Sequence, residues 1–221
     1  MTAVASDRPP DGRTAIGRGM EQFHHPRPVC TGRGPTFRPT PQRERLTAGL
    51  TGRVVEFGAG DGVKLACYPP QVREIVLVEP DPFLRAAAEG VAGGVPAEVS
   101  IVGGHPAKAP MEDASCDAVV HALSLCCCAS LERTLAEARR ILRPGGRLRF
   151  YEHVRSANPV VAMTESLVGP LWARASGGCR PGRDPVAAIQ AAGFALEHLD
   201  RFTFQHVSHV LGAAVLTPER P

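Results

Sequence analysis

The residues that can do chemistry begin with a glycine-rich turn in the first third of the chain. Gly58, Gly60 and Gly62 alternate with other residues directly after the apolar segment 54–57. Glycine lets the backbone adopt positive φ angles and approach a ligand without a Cβ atom in the way. Glu79 ends a second apolar segment, where its carboxylate could accept hydrogen bonds from both hydroxyls of a ribose. The spacing therefore predicts a site for a nucleotide-like ligand.

The positions of the glycines and the lysine in the turn distinguish between the common nucleotide ligands. A dinucleotide site is typical of G-x-G-x-x-G/A, but Val63 occupies the third position of that pattern and Gly62 falls one residue early. A P-loop requires a hydroxyl residue after its lysine, and Leu65 follows Lys64 instead. The sequence therefore disfavours NAD, FAD and ATP. A nicotinamide-dependent oxidoreductase is the least favoured of the functions that we consider.

Two acidic residues beside the turn each have two interpretations. Glu79 either binds a ribose or is a structural acid at a helix N-terminus. Glu56 either holds the α-amino group of an amino-acid-bearing nucleoside or accepts bonds from the amides of the loop. We favour ligand binding for both, because the glycines already indicate a ligand at this turn.

Histidines supply the candidates for proton transfer. His153 follows the predicted strand 147–152, and it either acts as a general base, with Glu152 orienting it, or bonds to a loop carbonyl. His121 lies inside another apolar segment, so we expect it to be buried and hydrogen bonded. Trp172, with Met163 and Leu167 on one helix face, could wall an apolar substrate pocket or fill the core, and the two roles are not exclusive.

The seven cysteines form no C-x-x-C pair and are expected to be reduced thiols in the cytoplasm. Cys126, Cys127 and Cys128 lie side by side in an apolar segment. Three adjacent cysteines cannot easily converge on one ion, so we expect them to pack against their neighbours and we expect no metal site.

Strands that alternate with helices must position these residues. Nearly continuous apolar segments are typical of parallel strands that are covered on both faces. The predicted strands are residues 54–57, 75–79, 99–102, 118–123, 147–152, 194–204 and 207–215. The predicted helices are residues 82–89, 131–142, 160–172 and 184–193, with short helices at 40–50 and 63–68. The order predicts an α/β fold with a doubly wound, seven-stranded, mostly parallel, Rossmann-like sheet and a C-terminal antiparallel hairpin. Ligands of such sheets bind at the carboxyl ends of the strands, where the strand order reverses.

Length and composition limit the organisation of the chain. With 221 residues and a formal charge of +3, the chain is expected to form one domain without a nucleic-acid-binding face. Residues 1–43 are rich in proline and glycine, and we expect a disordered or loosely packed arm before a domain at 44–221. No apolar segment is long enough to span a bilayer, so we expect a soluble, cytoplasmic protein. The oligomeric state has no signature in the sequence.

The motifs, taken in order, resemble those of class I S-adenosylmethionine-dependent methyltransferases. The resemblance spans residues 44–215 and rests on four motifs, which are residues 54–62, 79–81, 117–120 and 142–146. Within that superfamily, residues 123–126, 150–154 and 177–179 and Trp172 are similar to the methyltransferase-like 7 group and its bacterial relatives of methyltransferase type 11. Some members of the methyltransferase-like 7 group methylate small thiols.

The resemblance implies a cofactor, a reaction and a set of residues. The cofactor is S-adenosylmethionine, and the reaction is methyl transfer to a small molecule, such as a thiol or an apolar metabolite, with His153 as the catalytic candidate. The residues implied at the cofactor are Glu56, Gly58, Ala59, Gly60, Gly62, Glu79, Pro80, His105, Pro106 and Leu123. In this arrangement the glycines pass the methionine part, Glu79 binds the ribose, and residues 104–107 line the adenine.

Two segments depart from the pattern of these relatives. Residues 1–43 contain no counterpart of the aromatic helix that commonly covers the site, and residues 180–182 read Arg-Pro-Gly in place of a stretch similar to His-Leu-Thr. A second hypothesis is therefore a protein that binds S-adenosylmethionine but is impaired in catalysis because it lacks a proper lid.

Overall fold

A seven-stranded sheet forms the centre of the computed structural model, which describes residues 40–204 and 206–217. The strands are β1 (Gly52–Phe57), β2 (Val72–Val78), β3 (Glu98–Val102), β4 (Cys116–Ala122), β5 (Leu142–His153), β6 (Phe194–Phe204) and β7 (Val207–Leu216). Their spatial order is β3-β2-β1-β4-β5-β7-β6. Strands β1 to β5 pair in parallel, and β7 lies antiparallel between β5 and β6. The predicted doubly wound sheet with a closing hairpin is confirmed, and its order reverses between β1 and β4.

Five α-helices accompany the sheet within the described residues. They are α1 (Pro41–Thr47), α2 (Pro82–Ala92), α3 (Leu131–Ile141), α4 (Pro159–Ala175) and α5 (Pro185–Ala191). Each begins after a side chain that accepts a hydrogen bond from the first helical turn, and the residues that cap them are Thr40, Asp81, Ser130, Asn158 and Asp184. Proline occupies the first position of every one of these helices except α3. At that position the fixed φ angle of proline suits the helix, and its missing N–H costs nothing.

Three boundaries bear on the sequence predictions. The short helix expected at residues 63–68 is a single 3-10 turn (Leu65–Cys67), because two prolines follow at once. Strand β5 begins at Leu142, so it includes the segment expected as a turn, where Gly145 has a φ of +75° and the register with β4 shifts. Residues 1–39 lie outside the described residues, so the arm at 1–43 and the domain boundary stay predictions.

Apolar side chains cover both faces of the sheet. Val55 and Phe57 of β1 point to one face, where helices α3 and α5 pack, whereas Val54 contributes to the other face with helices α1 and α2. Successive residues of a strand point to opposite faces, so a strand buried on both faces needs apolar residues throughout. Within the described residues, no helix is long and apolar enough to cross a membrane.

The hairpin strand β7 packs closely on β5 at Gly212. A Cβ atom at this position would lie 2.8 Å from the carbonyl oxygen of His198 and would overlap the ring of Phe150. We predict that Gly212→Ala lowers the free energy of unfolding by about 1–3 kcal/mol, as measured by urea denaturation, because the core must shift to admit the methyl group.

The matched control for this prediction is Gly90→Ala in helix α2, where an added Cβ atom meets nothing within 4 Å. Alanine at an exposed helical position should raise the free energy of unfolding by about 0.5–1 kcal/mol. An unchanged urea midpoint for Gly212→Ala would contradict the close packing of β7 against Phe150.

Candidate active site

The glycine turn after β1 has the geometry that its sequence predicts. Gly58, Gly60 and Gly62 have φ angles of +64°, +63° and +76°. A Cβ atom on Gly58 would lie 2.9 Å from Cβ of Ser124, and one on Gly62 would lie 3.1 Å from Cβ of Ala88. A Cβ atom on Gly60, by contrast, would meet nothing within 4 Å. Two of the glycines thus permit packing of the turn, and the middle one leaves its surface open to a ligand.

Glu79 holds the turn from the end of β2. Its side chain is 1% exposed, its Oε2 accepts the N–H of Gly60 at 2.9 Å, and its Oε1 accepts the N–H of Asp81 at 3.0 Å. A carboxylate has about four acceptor positions, so two remain for the hydroxyls of a ribose. The bond to Gly60 was not evident from the sequence, since it joins residues on two different strand ends. Ribose binding by Glu79 stays a prediction.

Glu56 is paired with side chains of its own chain. Its carboxylate lies 2.8 Å from Nζ of Lys64 and accepts the hydroxyl of Tyr68 at 2.7 Å, and it is 1% exposed. Burial, followed by the charge of Glu56, holds the pKa of Tyr68 well above its usual value. Lys64 also donates to the carbonyl of Ala59 at 3.3 Å, which ties the ion pair to the glycine turn. The loop amides that we considered for Glu56 are not among its described partners, and binding of a ligand ammonium group by Glu56 stays a prediction.

The segments predicted to contact adenine lie at the neighbouring ends of β2 and β3. Arg85 donates to the carbonyl oxygens of Glu79 at 2.9 Å and Pro80 at 2.8 Å. Nδ1 of His105 accepts the N–H of Ala107 at 3.1 Å, within a tight turn that includes the buried Pro106. These contacts fix the backbone on which an adenine ring would rest, and the contact itself stays a prediction.

Glu152 organises the loop after β4, and it does not orient His153. Its fully buried carboxylate accepts the N–H groups of Ser124, Leu125 and Cys126, each at 3.0 Å. Burial raises the pKa of Glu152, and the three amides oppose that rise. The prediction that Glu152 orients His153 is wrong, because successive residues of a strand point to opposite faces of the sheet.

Leu123 begins the loop after β4 in a left-handed conformation. Its φ is +55°, and its N–H donates to the carbonyl of Tyr151 at 2.7 Å. The next residue, Ser124, packs on Gly58 and bonds to Nδ1 of His121 at 2.7 Å. His121 is buried as predicted, and burial lowers its pKa to about 3. The loop therefore lies directly against the glycine turn, where Leu123 was predicted to contact the cofactor.

His153 lies in a cluster with two cysteines. Its Nδ1 is 3.1 Å from Sγ of Cys179 and 3.6 Å from Sγ of Cys126, and its ring centroid lies 4.6 Å from that of His209. Hydrogen bonds from Cys126 and Cys127, and then from His153, lower the pKa of Cys179. The expected bond to a loop carbonyl is not among its described contacts. Cys179 was missed as a candidate, because nothing in the sequence indicates that its loop reaches the end of β5.

An apolar cavity lies close to this cluster. It has a volume of about 170 Å³ and a mostly apolar lining. The lining residues are Val161, Thr164, Glu165, Val168, Trp172, Pro181, His206 and Val207. Trp172 lines this cavity and is 41% exposed, so it does not fill the core, and its role in a substrate pocket stays a prediction. None of the three cluster residues lines the cavity, but two residues beside its lining contact the cluster. Arg180, which precedes Pro181, donates its N–H to the carbonyl of Cys126 at 2.8 Å. Nδ1 of His209 lies 2.8 Å from the carbonyl oxygen of Val207, and its ring centroid lies 4.6 Å from that of His153.

Replacing Glu152 tests how far the loop after β4 depends on it. We predict that Glu152→Gln lowers the free energy of unfolding by about 1–3 kcal/mol, because an amide NH₂ group then faces a backbone donor in a buried position. Thermal or urea unfolding measures this change. Glu197→Gln removes a carboxylate that is 39% exposed and 3.3 Å from Arg147, so it should change the value by less than about 0.5 kcal/mol. Equal effects of the two substitutions would contradict the role of Glu152.

Comparisons with known proteins agree with this geometry. A family model described as a methyltransferase domain matches residues 55–150, which contain the glycine turn, Glu79 and the loop after β4. Thiol S-methyltransferase TMT1B of Rattus norvegicus is 30% identical over 171 residues, covering 73% of this chain and 70% of that protein. Thiol S-methyltransferase TMT1A of Homo sapiens is 29% identical over 177 residues, covering 77% and 70%.

A solved structure shows the same fold. Geranyl diphosphate methyltransferase in complex with S-adenosylmethionine superimposes with a TM-score of 0.65 at 16% identity, covering 80% of this chain and 83% of that one. At this identity the likeness concerns the fold alone. Together with the relatives that share about 30% of their residues, the ordered motifs establish the class. The chain belongs to the class I S-adenosylmethionine-dependent methyltransferases, with S-adenosylmethionine as its cofactor.

Proposed function

We propose that this enzyme transfers the methyl group of S-adenosylmethionine to the sulfur of a small, apolar thiol. The observation that carries the proposal is the apolar cavity beside the Cys126, His153 and Cys179 cluster, at the edge of the sheet where the cofactor binds in this class. Two relatives with about 30% identity are thiol S-methyltransferases, which supports the choice of sulfur as the acceptor atom.

The cofactor would lie along the carboxyl ends of β1 and β2. We place its methionine part against Gly58, Ala59 and Gly60, and its ribose against Glu79, which keeps two acceptor positions free. Its adenine would rest near Pro80 and the turn of residues 105–108. The open surface of Gly60 supports this path, because a backbone without a Cβ atom admits the ligand closely.

Methyl transfer from a sulfonium is an in-line displacement in which the positive charge on sulfur disappears. The enzyme contributes mainly by holding the acceptor sulfur and the methyl group about 3 Å apart and in line, which can supply several kcal/mol of barrier reduction. A thiol must lose its proton first, because the thiolate is the nucleophile. His153 is the residue of this edge that we assign to that step, since its side chain remains partly exposed beside the cavity.

The proposal also covers the compartment in which the enzyme works and the class of its acceptor. The cysteines of the described residues are free thiols, which supports a reducing compartment such as the cytoplasm. The small net charge of +3 gives no support to a nucleic-acid substrate, so we propose a small molecule as the acceptor.

A panel of acceptors tests the function. We predict that the full chain with S-adenosylmethionine converts uncharged aliphatic and aromatic thiols to methyl thioethers, with one S-adenosylhomocysteine formed for each product. The kcat/KM values for thiols should exceed those for alcohols and amines of the same carbon skeleton by at least about tenfold, because only the thiol ionises readily near neutral pH. Mass spectrometry of both products measures the reaction.

Two outcomes of this panel would contradict the proposal. Faster methylation of the matched alcohols or amines would remove sulfur as the acceptor. Binding of S-adenosylhomocysteine by calorimetry without turnover of any acceptor would favour the second hypothesis, in which the protein binds the cofactor but is impaired in catalysis.

A further inference from the structure

Three potential metal ligands converge from segments that are far apart in the sequence. Cys126 lies in the loop after β4, His153 ends β5, and Cys179 lies in the loop between α4 and α5. Their ligand atoms all lie within 4.8 Å of one another. The two Sγ atoms are 3.8 Å apart, and Nδ1 of His153 is 3.6 Å from Sγ of Cys126 and 3.1 Å from Sγ of Cys179.

These separations are close to those of a tetrahedral zinc site. With Zn–S bonds of about 2.3 Å and Zn–N bonds of about 2.05 Å, tetrahedral angles place two sulfur ligands about 3.8 Å apart and a sulfur and a nitrogen ligand about 3.5 Å apart. The observed distances of 3.8 and 3.6 Å meet this requirement. The contact of 3.1 Å between His153 and Cys179 requires a small rotation of one side chain.

The backbone around the cluster fixes the positions of the ligands. The N–H of Cys126 donates to Glu152 at 3.0 Å, and its carbonyl accepts the N–H of Arg180 at 2.8 Å, so the two loops that carry the cysteines are joined directly. His153 is held in register with His209 of β7. Metal ligands are oriented by hydrogen bonds from the groups around them. The contacts described above hold the segments that carry Cys126, His153 and Cys179 in this way.

We propose that Cys126, His153 and Cys179 bind one zinc ion and leave its fourth position to the sulfur of the acceptor thiol. The ion would be held by two thiolates and one imidazole, a set of three protein ligands with an open position that is typical of catalytic rather than structural zinc. The second half of this proposal rests on the proposed function, whereas binding of the ion does not.

The reaction balances without an oxidant or a reductant. The acceptor thiol binds the ion as a thiolate, and its proton passes to water, since a coordinated thiol is deprotonated outright. An electron pair of this thiolate sulfur forms the new bond to the methyl carbon. The bond between that carbon and the cofactor sulfonium breaks, and its electron pair remains on S-adenosylhomocysteine. The neutral thioether then leaves the ion. With zinc bound, the ion would replace His153 in making the acceptor a thiolate, and His153 would serve as a ligand; the role of base assigned to it above applies to the enzyme without the ion.

The expectation of no metal site rested on the lack of zinc-like spacing, such as a C-x-x-C pair, and on the three adjacent cysteines of residues 126–128. These three thiols have different partners, since Sγ of Cys126 lies 3.6 Å from Nδ1 of His153, whereas Cys127 and Cys128 donate to the carbonyls of Leu123 and Leu125 at 3.3 and 3.2 Å. In the cluster proposed here, Cys126 and His153 are 27 residues apart and His153 and Cys179 are 26 apart, so the sequence shows no short-spaced metal-binding motif such as C-x-x-C.

Cobalt is the probe that tests the site. The full chain is reduced, stripped with a chelator and titrated with Co²⁺, whose absorption reports tetrahedral coordination and sulfur ligands. We expect one cobalt per chain to give these bands, and we expect at least tenfold weaker binding in Cys179→Ala and in His153→Ala. Cys116→Ala is the matched control, because this buried thiol bonds to the carbonyl of Ile141 in the core and should leave binding unchanged. Cys126 is a less decisive position, because Cys127 lies 3.5 Å away and can replace it.

The outcomes distinguish the metal site from the proposed function. Cobalt binding by the unaltered chain that is no stronger than binding by Cys179→Ala overturns the site. If cobalt binds but the chelated enzyme methylates thiols at the full rate, the role of the fourth position is wrong and the proposed function stands. If cobalt binds and no thiol is methylated with or without zinc, the proposed function fails and the site stands.

Both halves of the proposal are supported if chelation lowers the rate of thiol methylation at least tenfold and zinc restores it. The affinity for S-adenosylhomocysteine, measured by calorimetry, should then change less than twofold.

Discussion

Three buried carboxylates at the carboxyl edge of the sheet hold the loops of this active site in place. Glu56, Glu79 and Glu152 are each at most 1% exposed. A buried charge costs several kcal/mol unless nearby groups compensate it, so each carboxylate constrains whatever it binds. Glu56 binds Lys64 and Tyr68, Glu79 binds two backbone amides, and Glu152 binds three. The glycine turn and the loop after β4 owe their positions to these bonds.

The proposed acceptor end of the site is built from different segments than the proposed cofactor end. The cofactor end uses β1, β2 and β4, which lie within residues 55–150, where the family model matches. The acceptor end adds His153, helix α4 and the loop that carries Cys179, all beyond that range. Several large apolar side chains of α4 are exposed, among them Met163 at 60% and Leu167 at 76%. This exposed apolar surface supports the proposal of an apolar acceptor. Variation of the proposed acceptor end, with the cofactor end unchanged, is one way in which a fold can host different functions.

The sequence predicts the fold well because the relevant signals are local. Apolar segments mark buried strands, the glycine spacing marks the turn, and capping residues such as Asp81 mark helix starts. The same local logic predicts that Glu79 ends β2 beside the turn. Residues that meet only through the fold give no such signal, which is why the ion pair of Glu56 with Lys64 and the approach of Cys179 to His153 were missed. The assignment of Glu152 to His153 fails because adjacency in a strand means opposite faces.

The central claim is that one edge of the sheet brings the cofactor, held by Glu79, together with an acceptor held at the Cys126, His153 and Cys179 cluster. A crystal structure of the full chain with S-adenosylhomocysteine tests it most directly. We expect both ribose hydroxyls to lie within hydrogen-bond distance of Glu79 and the thioether sulfur of the product to face the cluster. A ribose bound without Glu79, or a product sulfur directed away from the cluster, would contradict it.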